Sequence, residues 1–376
     1  MIERHIEKRL IDRIKPAFVL GLFGARRTGK TYLMQQIITK MKGEKILLVQ
    51  GDNIDASEIL SSRRLSLLQS FVSGYNYLFI DEAQFIPNIG QSLKLMVDNI
   101  PDLSIFITGS SAIDLKNKIG EPLTGRSNYQ YLFPLAQSEL SLDFIGFKTN
   151  LENLLIYGSY PQVFLAKSNE QKVEVLNSIK NGYLLKDILA IDNQKDSIFV
   201  FNLLRLIAFQ IGNNVSYNEL ASNLNVNRKT VQRYLDILEK AFIIFSLPAF
   251  SRNIRKEYAK TPRYYFWDNG IRNSLISNFN NITTRDDIGK LWENYCVSEK
   301  LKISKYNQKS ANYFYWRTYD QQEIDLIEET GGQLNAFEFK WNARKEPRMP
   351  KAFERAYTNS HFQGINPNNF IDFIKQ

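Results

Sequence analysis

"LGLFGARRTGKTYLM", residues 20–34, is the stretch on which the fold turns. It carries Gly24, four free positions, then Gly29, Lys30 and Thr31, which is the spacing of a phosphate-binding loop. The loop works only when a strand delivers the chain to it and a helix leaves it. Upstream, "AFVLGLFG" is a short apolar run that fits a buried parallel strand, and downstream "KTYLMQQIITKM" has apolar residues at helical spacing. In that geometry the backbone N–H groups of residues 25–31 form an anion nest, reinforced by the positive end of the helix dipole. Gly24, Ala25, Arg26, Arg27, Thr28, Gly29, Lys30, Thr31 and Tyr32 are the expected nucleotide contacts. Lys30 reaches the β/γ-phosphates of ATP, and Thr31 holds Mg2+.

Hydrolysis needs a second set of residues, and "YLFIDEAQ", residues 77–84, supplies it. An apolar strand ends here in two adjacent carboxylates, at the edge where open parallel sheets bind ligands. Asp81 is expected in the Mg2+ sphere with Thr31, and Glu82, pointing to the other side of the strand, orients or deprotonates the attacking water. "KILLVQGD" precedes this strand and "LSIFITGSSA", residues 103–112, follows it, so strands alternate with helical segments as in a parallel α/β sheet. Of the hydroxyls ending the latter strand, Ser110 ranks first as a contact to the γ-phosphate or the water, and Thr108 second. Arg126, after the turn-prone Thr124-Gly125 pair, is a candidate arginine finger acting in cis or from a neighbouring copy of the chain.

The order of these segments resembles the ATP-binding proteins of the AAA+ superfamily found in bacteria and archaea that carry an uncharacterised C-terminal domain. The resemblance runs nearly end to end, through "GARRTGKT", "YLFIDEAQ", "IFITGSSA", "GRSNYQYLFPLAQSEL", "YGSYPQVFL", "YLLKDIL", "DNGIRNSL", "GKLWENYCVSEKL", "YFYWRTYDQQEIDLI" and "AFEFKW". Lys186 departs from the arginine the resemblance implies in "YLLKDIL". A five-stranded nucleotide-binding sheet and a helical lid are implied, with no particular biological task.

Composition narrows the setting. The chain has 376 residues, 44% of them hydrophobic, enough for two or three domains. One cysteine, Cys296, excludes an intramolecular disulfide, and no run of about 18 uncharged apolar residues occurs, so a cytoplasmic protein away from the membrane is expected. The net charge of +9 favours a polyanionic partner.

Two later segments point to DNA. Residues 215–250 read as a helix opened by a Ser216/Glu219 capping box, a turn, and a second helix capped by Asn227 that presents Arg228, Lys229, Gln232 and Arg233 near its start. A hairpin with a basic loop follows, as a wing would. Residues 316–341 hold a strand with Asp325, a Gly-Gly turn, and a strand with Glu338 and Lys340 on one face. This resembles the PD-(D/E)xK nuclease core, in which Asp325 and Glu338 would bind a metal ion with Lys340 and Glu293 nearby.

The expected architecture is therefore α/β: a P-loop AAA+ parallel sheet over 1–134, a helical lid over 135–197, a winged-helix module over 198–275 and a restriction-endonuclease-like α/β domain over 276–376. The expected activity is Mg2+-dependent ATP hydrolysis coupled to DNA binding or processing. The alternative is a nucleotide-dependent switch or scaffold for protein partners.

Overall fold

The computed structural model describes residues 2–110, 123–184, 197–251, 261–344 and 346–375. Lys186 and most of the expected basic wing loop lie outside them. The chain forms two compact units, Met1–Phe133 with Lys240–Phe242, and Pro134–Glu239 with Ile243–Gln376.

The first unit is built on five parallel strands: β1 (Phe18–Phe23), β2 (Ile46–Gln50), β3 (Tyr77–Asp81), β4 (Ser104–Gly109) and β5 (Ser127–Tyr131), in the order β2-β3-β4-β1-β5. The three inner strands β1, β3 and β4 are apolar runs because both their faces are covered, whereas the edge strand β5 is polar and the edge strand β2 leaves Leu48 exposed. On one face Val19, Phe23, Ile80 and Ile105 pack with Leu60, Leu68 and Leu93 of the helices α3 (Ile54–Ser61), α4 (Leu65–Phe71) and α5 (Ile89–Asn99). Leu20, Leu22, Phe79 and Phe106 are also buried, Phe79 stacking on Phe106 with ring centres 5.2 Å apart. The helix α2 (Lys30–Lys40) leaves the end of β1 through the loop and buries Leu33, Met34 and Ile37. The strand order matters for function: β4 lies between β1 and β3, so its end falls between the phosphate loop and the acidic pair.

In the second unit the helix Phe144–Tyr157 packs on the helix Asn269–Leu275, where Asn273 donates to the carbonyls of Leu155 and Ile156 at 3.1 and 2.8 Å. The helices Tyr217–Asn223 and Arg228–Lys240 precede a two-stranded antiparallel ribbon, β6 (Ile244–Leu247) and β7 (Arg263–Phe266). The C-terminal part runs helix Ile288–Tyr306, β8 (Asn312–Arg317), β9 (Glu323–Thr330), β10 (Gln333–Phe339), helix Lys351–Ala356 and β11 (Ser360–Ile365). Its sheet order is β11-β10-β9-β8, with β10 and β11 parallel and the other pairs antiparallel. Gly331 and Gly332, both at positive φ (58° and 82°), make the tight turn between β9 and β10. That turn fixes the register: Phe337 lies opposite Leu326, which sets Glu338 across from Asp325.

Candidate functional site

The loop between β1 and α2 is shaped by what its glycines permit. A Cβ on Gly24 would lie 2.0 Å from the carbonyl oxygen of Leu132, so no side chain fits there. Gly29, at φ 97°, turns the chain into α2 and is its N-cap without contributing a side-chain acceptor. The contrast with α3 is informative. There the Asn53 side chain accepts from the Ala56 N–H at 2.9 Å and closes its own helix end, whereas the first-turn N–H groups of α2 face no capping side chain. A helix start of that kind, preceded by a glycine cradle, fits a phosphate group.

Within the loop, Thr28 is fully buried and its hydroxyl donates to the Ala25 carbonyl at 2.8 Å. Lys30 is also buried, its ammonium donating to the Gly24 and Ala25 carbonyls at 3.0 Å each. Ala25 is buried, Arg26 and Arg27 are half-buried, and Tyr32 is exposed. Arg27 takes a left-handed backbone, φ 60°. From outside the motif, Arg4 reaches in: its guanidinium donates to the Thr28 carbonyl at 2.7 Å and to the Phe133 carbonyl at 2.8 Å.

The two motifs meet at a hydroxyl. Thr31 donates to one carboxylate oxygen of Asp81 at 2.7 Å, and Thr108 donates to the other. Asp81 is only 2% exposed, so these hydroxyls are its solvation. Thr108 also accepts from the Glu82 N–H at 2.9 Å. Glu82 needs that support, because its left-handed backbone (φ 52°, ψ 48°) costs of the order of 1–3 kcal/mol for a non-glycine residue. Gln84 donates to the Glu82 carboxylate and, at 3.2 Å, to the Ser110 hydroxyl. Thr31 and Asp81 are hard oxygen donors of the kind Mg2+ takes.

Ser110 lies beyond the end of β4 and accepts from the same Gln84 that holds Glu82, and Thr108 is the hydroxyl on Asp81 and on the Glu82 backbone. The cis role expected of Arg126 needs correction. Arg126 is not at this site in its own chain. It stands at the N-terminal end of β5, next to Ser127, which pairs with Val19 near the start of β1, whereas the loop follows Phe23 at the other end. About 15 Å of strand separates the two ends. Arg126 is exposed there and pairs with Asp98.

In the second unit, Arg228, Lys229, Gln232 and Arg233 are all exposed along the first turns of their helix, while Val231, Leu235 and Leu238 are buried beneath them. Asn227 caps this helix by accepting from the Thr230 N–H at 2.8 Å. The Ser216/Glu219 pair is half of a capping box: Ser216 accepts from the Glu219 N–H at 3.3 Å, but the Glu219 carboxylate turns to Gln210.

The hairpin brings Asp325, Glu338 and Lys340 together, and Glu293 approaches from the helix Ile288–Tyr306. Lys340 bonds Glu338 at 2.7 Å, and the Phe339 N–H donates to Asp325 at 2.9 Å. Burial, with Glu293 and Glu338 alongside, pushes the Asp325 carboxyl well above the usual carboxylate range, and burial likewise raises Glu338. The cation facing these carboxylates is a side chain that sequence spacing does not point to. Arg263 of β7, 2% exposed, reaches Glu323 at 2.8 Å and stands 3.7 Å from Asp325 and 3.9 Å from Glu293. Among the described residues no group of three or more His, Cys, Asp or Glu side chains is set to hold a metal ion.

No helix among the described residues is long and apolar enough to cross a membrane. Comparison with known proteins agrees with the first unit's geometry. Residues 17–141 match the family model described as an AAA domain, and the five-stranded parallel sheet with its phosphate loop fits a P-loop AAA fold. Residues 148–282 match a domain of unknown function (DUF8612), and residues 288–369 match another (DUF4143). An uncharacterized protein of Mycobacterium tuberculosis is 28% identical over 345 residues, spanning 90% of this chain and 74% of its own length. Uncharacterized proteins of Methanocaldococcus jannaschii and Haemophilus influenzae are 26% and 25% identical, covering 97% and 98% of this chain and 84% and 97% of theirs. The AMPPCP-bound DnaA from Aquifex aeolicus aligns with a TM-score of 0.32 at 15% identity, over 62% of this chain and 84% of that one, a likeness too weak to transfer any property.

Proposed function

We propose that the first unit binds ATP with Mg2+ and hydrolyses it. The observation that carries this reading is the hydroxyl of Thr31 on Asp81 at 2.7 Å, which joins the loop motif to the acidic strand end at one point, with Glu82 next in sequence. In this reading residues 24–32 wrap the phosphates, Lys30 exchanges its loop carbonyls for phosphate oxygens, and Thr31 and Asp81 hold the ion. Mg2+ supplies neutralisation of the charge that develops on the phosphate oxygens. Glu82 orients the attacking water and takes its proton. Thr108 keeps Asp81 and Glu82 in register. Titration of ATP into the full chain, with and without Mg2+, tests this beside Lys30→Ala. Mg2+-dependent binding that is lost in the variant supports it, and equal binding by both chains overturns the site.

A second reading concerns DNA. Four exposed polar and basic side chains, Arg228, Lys229, Gln232 and Arg233, at the start of a helix whose other face is buried support a winged-helix module docking on duplex DNA, and the net charge of +9 is in keeping. Replacing Arg228, Lys229 and Arg233 with Ala should weaken duplex binding and flatten its salt dependence, since fewer counterions are released. Unchanged binding and slope would favour the alternative, a nucleotide-dependent switch or scaffold for protein partners.

A further inference from the structure

The side-chain cluster between β7, β9 and the helix Ile288–Tyr306, called the acidic pocket below, holds more negative charge than a buried site normally tolerates. Glu293 and Asp325 are each 5% exposed, Glu338 is 9% exposed, and Glu323 stands at the rim. Lysines pair with two of these groups, Lys290 with Glu293 at 3.0 Å and Lys340 with Glu338 at 2.7 Å, and the Tyr265 hydroxyl donates to Glu293 at 2.8 Å. Into this setting comes Arg263. Its Nε donates to Asn214 at 3.2 Å, one terminal nitrogen reaches Glu323 at 2.8 Å, and the guanidinium lies 4.5 Å from the centre of the Tyr315 ring.

The other terminal nitrogen, Nη1, is different. It is buried, makes no hydrogen bond, and is aimed between Asp325 and Glu293 at 3.7 and 3.9 Å. Glu338 Oε2 is likewise buried and without a hydrogen-bond partner. A bare buried guanidinium nitrogen between two carboxylates contributes charge rather than hydrogen bonding. At 3.7 and 3.9 Å these oxygens are farther from Nη1 than the roughly 2.1 Å of a Mg2+–oxygen bond, so an ion in that nitrogen's place would need both side chains to close in.

We propose that Arg263 is the resident cation of this pocket, held where a divalent ion would otherwise balance Glu293, Asp325 and Glu338, and that the C-terminal sheet gains a divalent-metal site only when the guanidinium is withdrawn. The hairpin then has the carboxylates for metal chemistry but is kept from it by a residue of the preceding ribbon. This inference stands apart from ATP binding, since every residue it uses is in the second unit.

The test is Mn2+ binding to the full chain, nucleotide-free, with Asp81→Asn introduced throughout to remove the first unit's ligand. That background chain should show no Mn2+ site that depends on Asp325. Adding Arg263→Ala should create a stoichiometric site in calorimetry and in the Mn2+ electron spin resonance spectrum, and adding Asp325→Asn as well should abolish it. Mn2+ should also raise the melting temperature of the Arg263→Ala chain and leave that of the background chain unchanged. If Arg263→Ala does not fold, Arg263→Gln carries the same measurements. A background chain that already binds Mn2+ through Asp325, a folded variant that binds none, or an unfolded pair that Mn2+ does not restore overturns the proposal.

Discussion

The phosphate loop with its acidic strand end and the acidic pocket of the C-terminal sheet both set carboxylates against a buried cation, yet they are completed from opposite sources. At the first, Asp81 accepts from the hydroxyls of Thr31 and Thr108, and the Lys30 ammonium donates to the Gly24 and Ala25 carbonyls. At the second, Arg263 stands directly among Glu293, Glu323 and Asp325, and Lys340 is paired with Glu338. A site that neutralises itself internally has less to offer a ligand. The difference is that hydroxyls and backbone carbonyls serve the first cluster, whereas in the second a guanidinium and an ammonium stand against carboxylates.

The largest effect that should follow is at the first site. Glu82→Gln should keep ATP but slow its hydrolysis roughly 10²–10⁴-fold, because the amide cannot accept the proton. Steady-state phosphate release measures it, and wild-type turnover would move the base elsewhere. At the second site the comparable change should be structural. Arg263→Ala should cost about 3–5 kcal/mol of stability in chemical denaturation without divalent ions, as it leaves buried carboxylates uncompensated. A cost near zero would break the comparison.

A finer test is Thr108→Val, which preserves shape and removes the hydroxyl that serves both Asp81 and the Glu82 N–H. Turnover should fall by about tenfold to 100-fold, the worth of hydrogen bonds to charged groups, with ATP affinity little altered. Asp325→Asn should do the reverse of Arg263→Ala. Burial, Glu293 and Glu338 raise the Asp325 carboxyl in the folded chain. The folded state thus binds the proton more readily than the unfolded one, so this group's contribution is full below the ordinary value near about 3.9 and is lost as pH rises above it. The Asn variant should be at least as stable as wild type at neutral pH, with a flatter stability profile from acid to neutral pH. Smallest of all, Arg126→Ala should leave single-chain turnover unchanged and cost at most about 1 kcal/mol, because its partner Asp98 is also at the surface. A loss of turnover that grows with protein concentration would assign Arg126 to a neighbouring copy.

What was legible in the sequence was local. Strand, glycine cradle and helix are contiguous around residues 20–34, and a two-residue Gly-Gly turn fixes which side chains face each other, so Asp325 and Glu338 were readable as a pair. What escaped depends on strand order and on distant insertion. That β4 runs between β1 and β3 cannot be seen in a linear pattern, and only that order makes Thr108 the hydroxyl on Asp81. Arg263 enters its pocket from a strand far upstream of the hairpin, with no spacing to announce it. Arg126 could have been placed from polarity alone: in a parallel sheet, a residue just before one strand and a loop just after another lie at opposite ends.

Arg4 has a practical consequence for dissecting the molecule. Its hydrogen bonds to Thr28 and to Phe133 bring residue 4 and the last residue of the first unit's main segment to the same loop. A minimal nucleotide-binding fragment must therefore retain both boundaries. Trimming past Arg4, or stopping short of Phe133, would leave every residue of the motif in place while slackening the cradle they form.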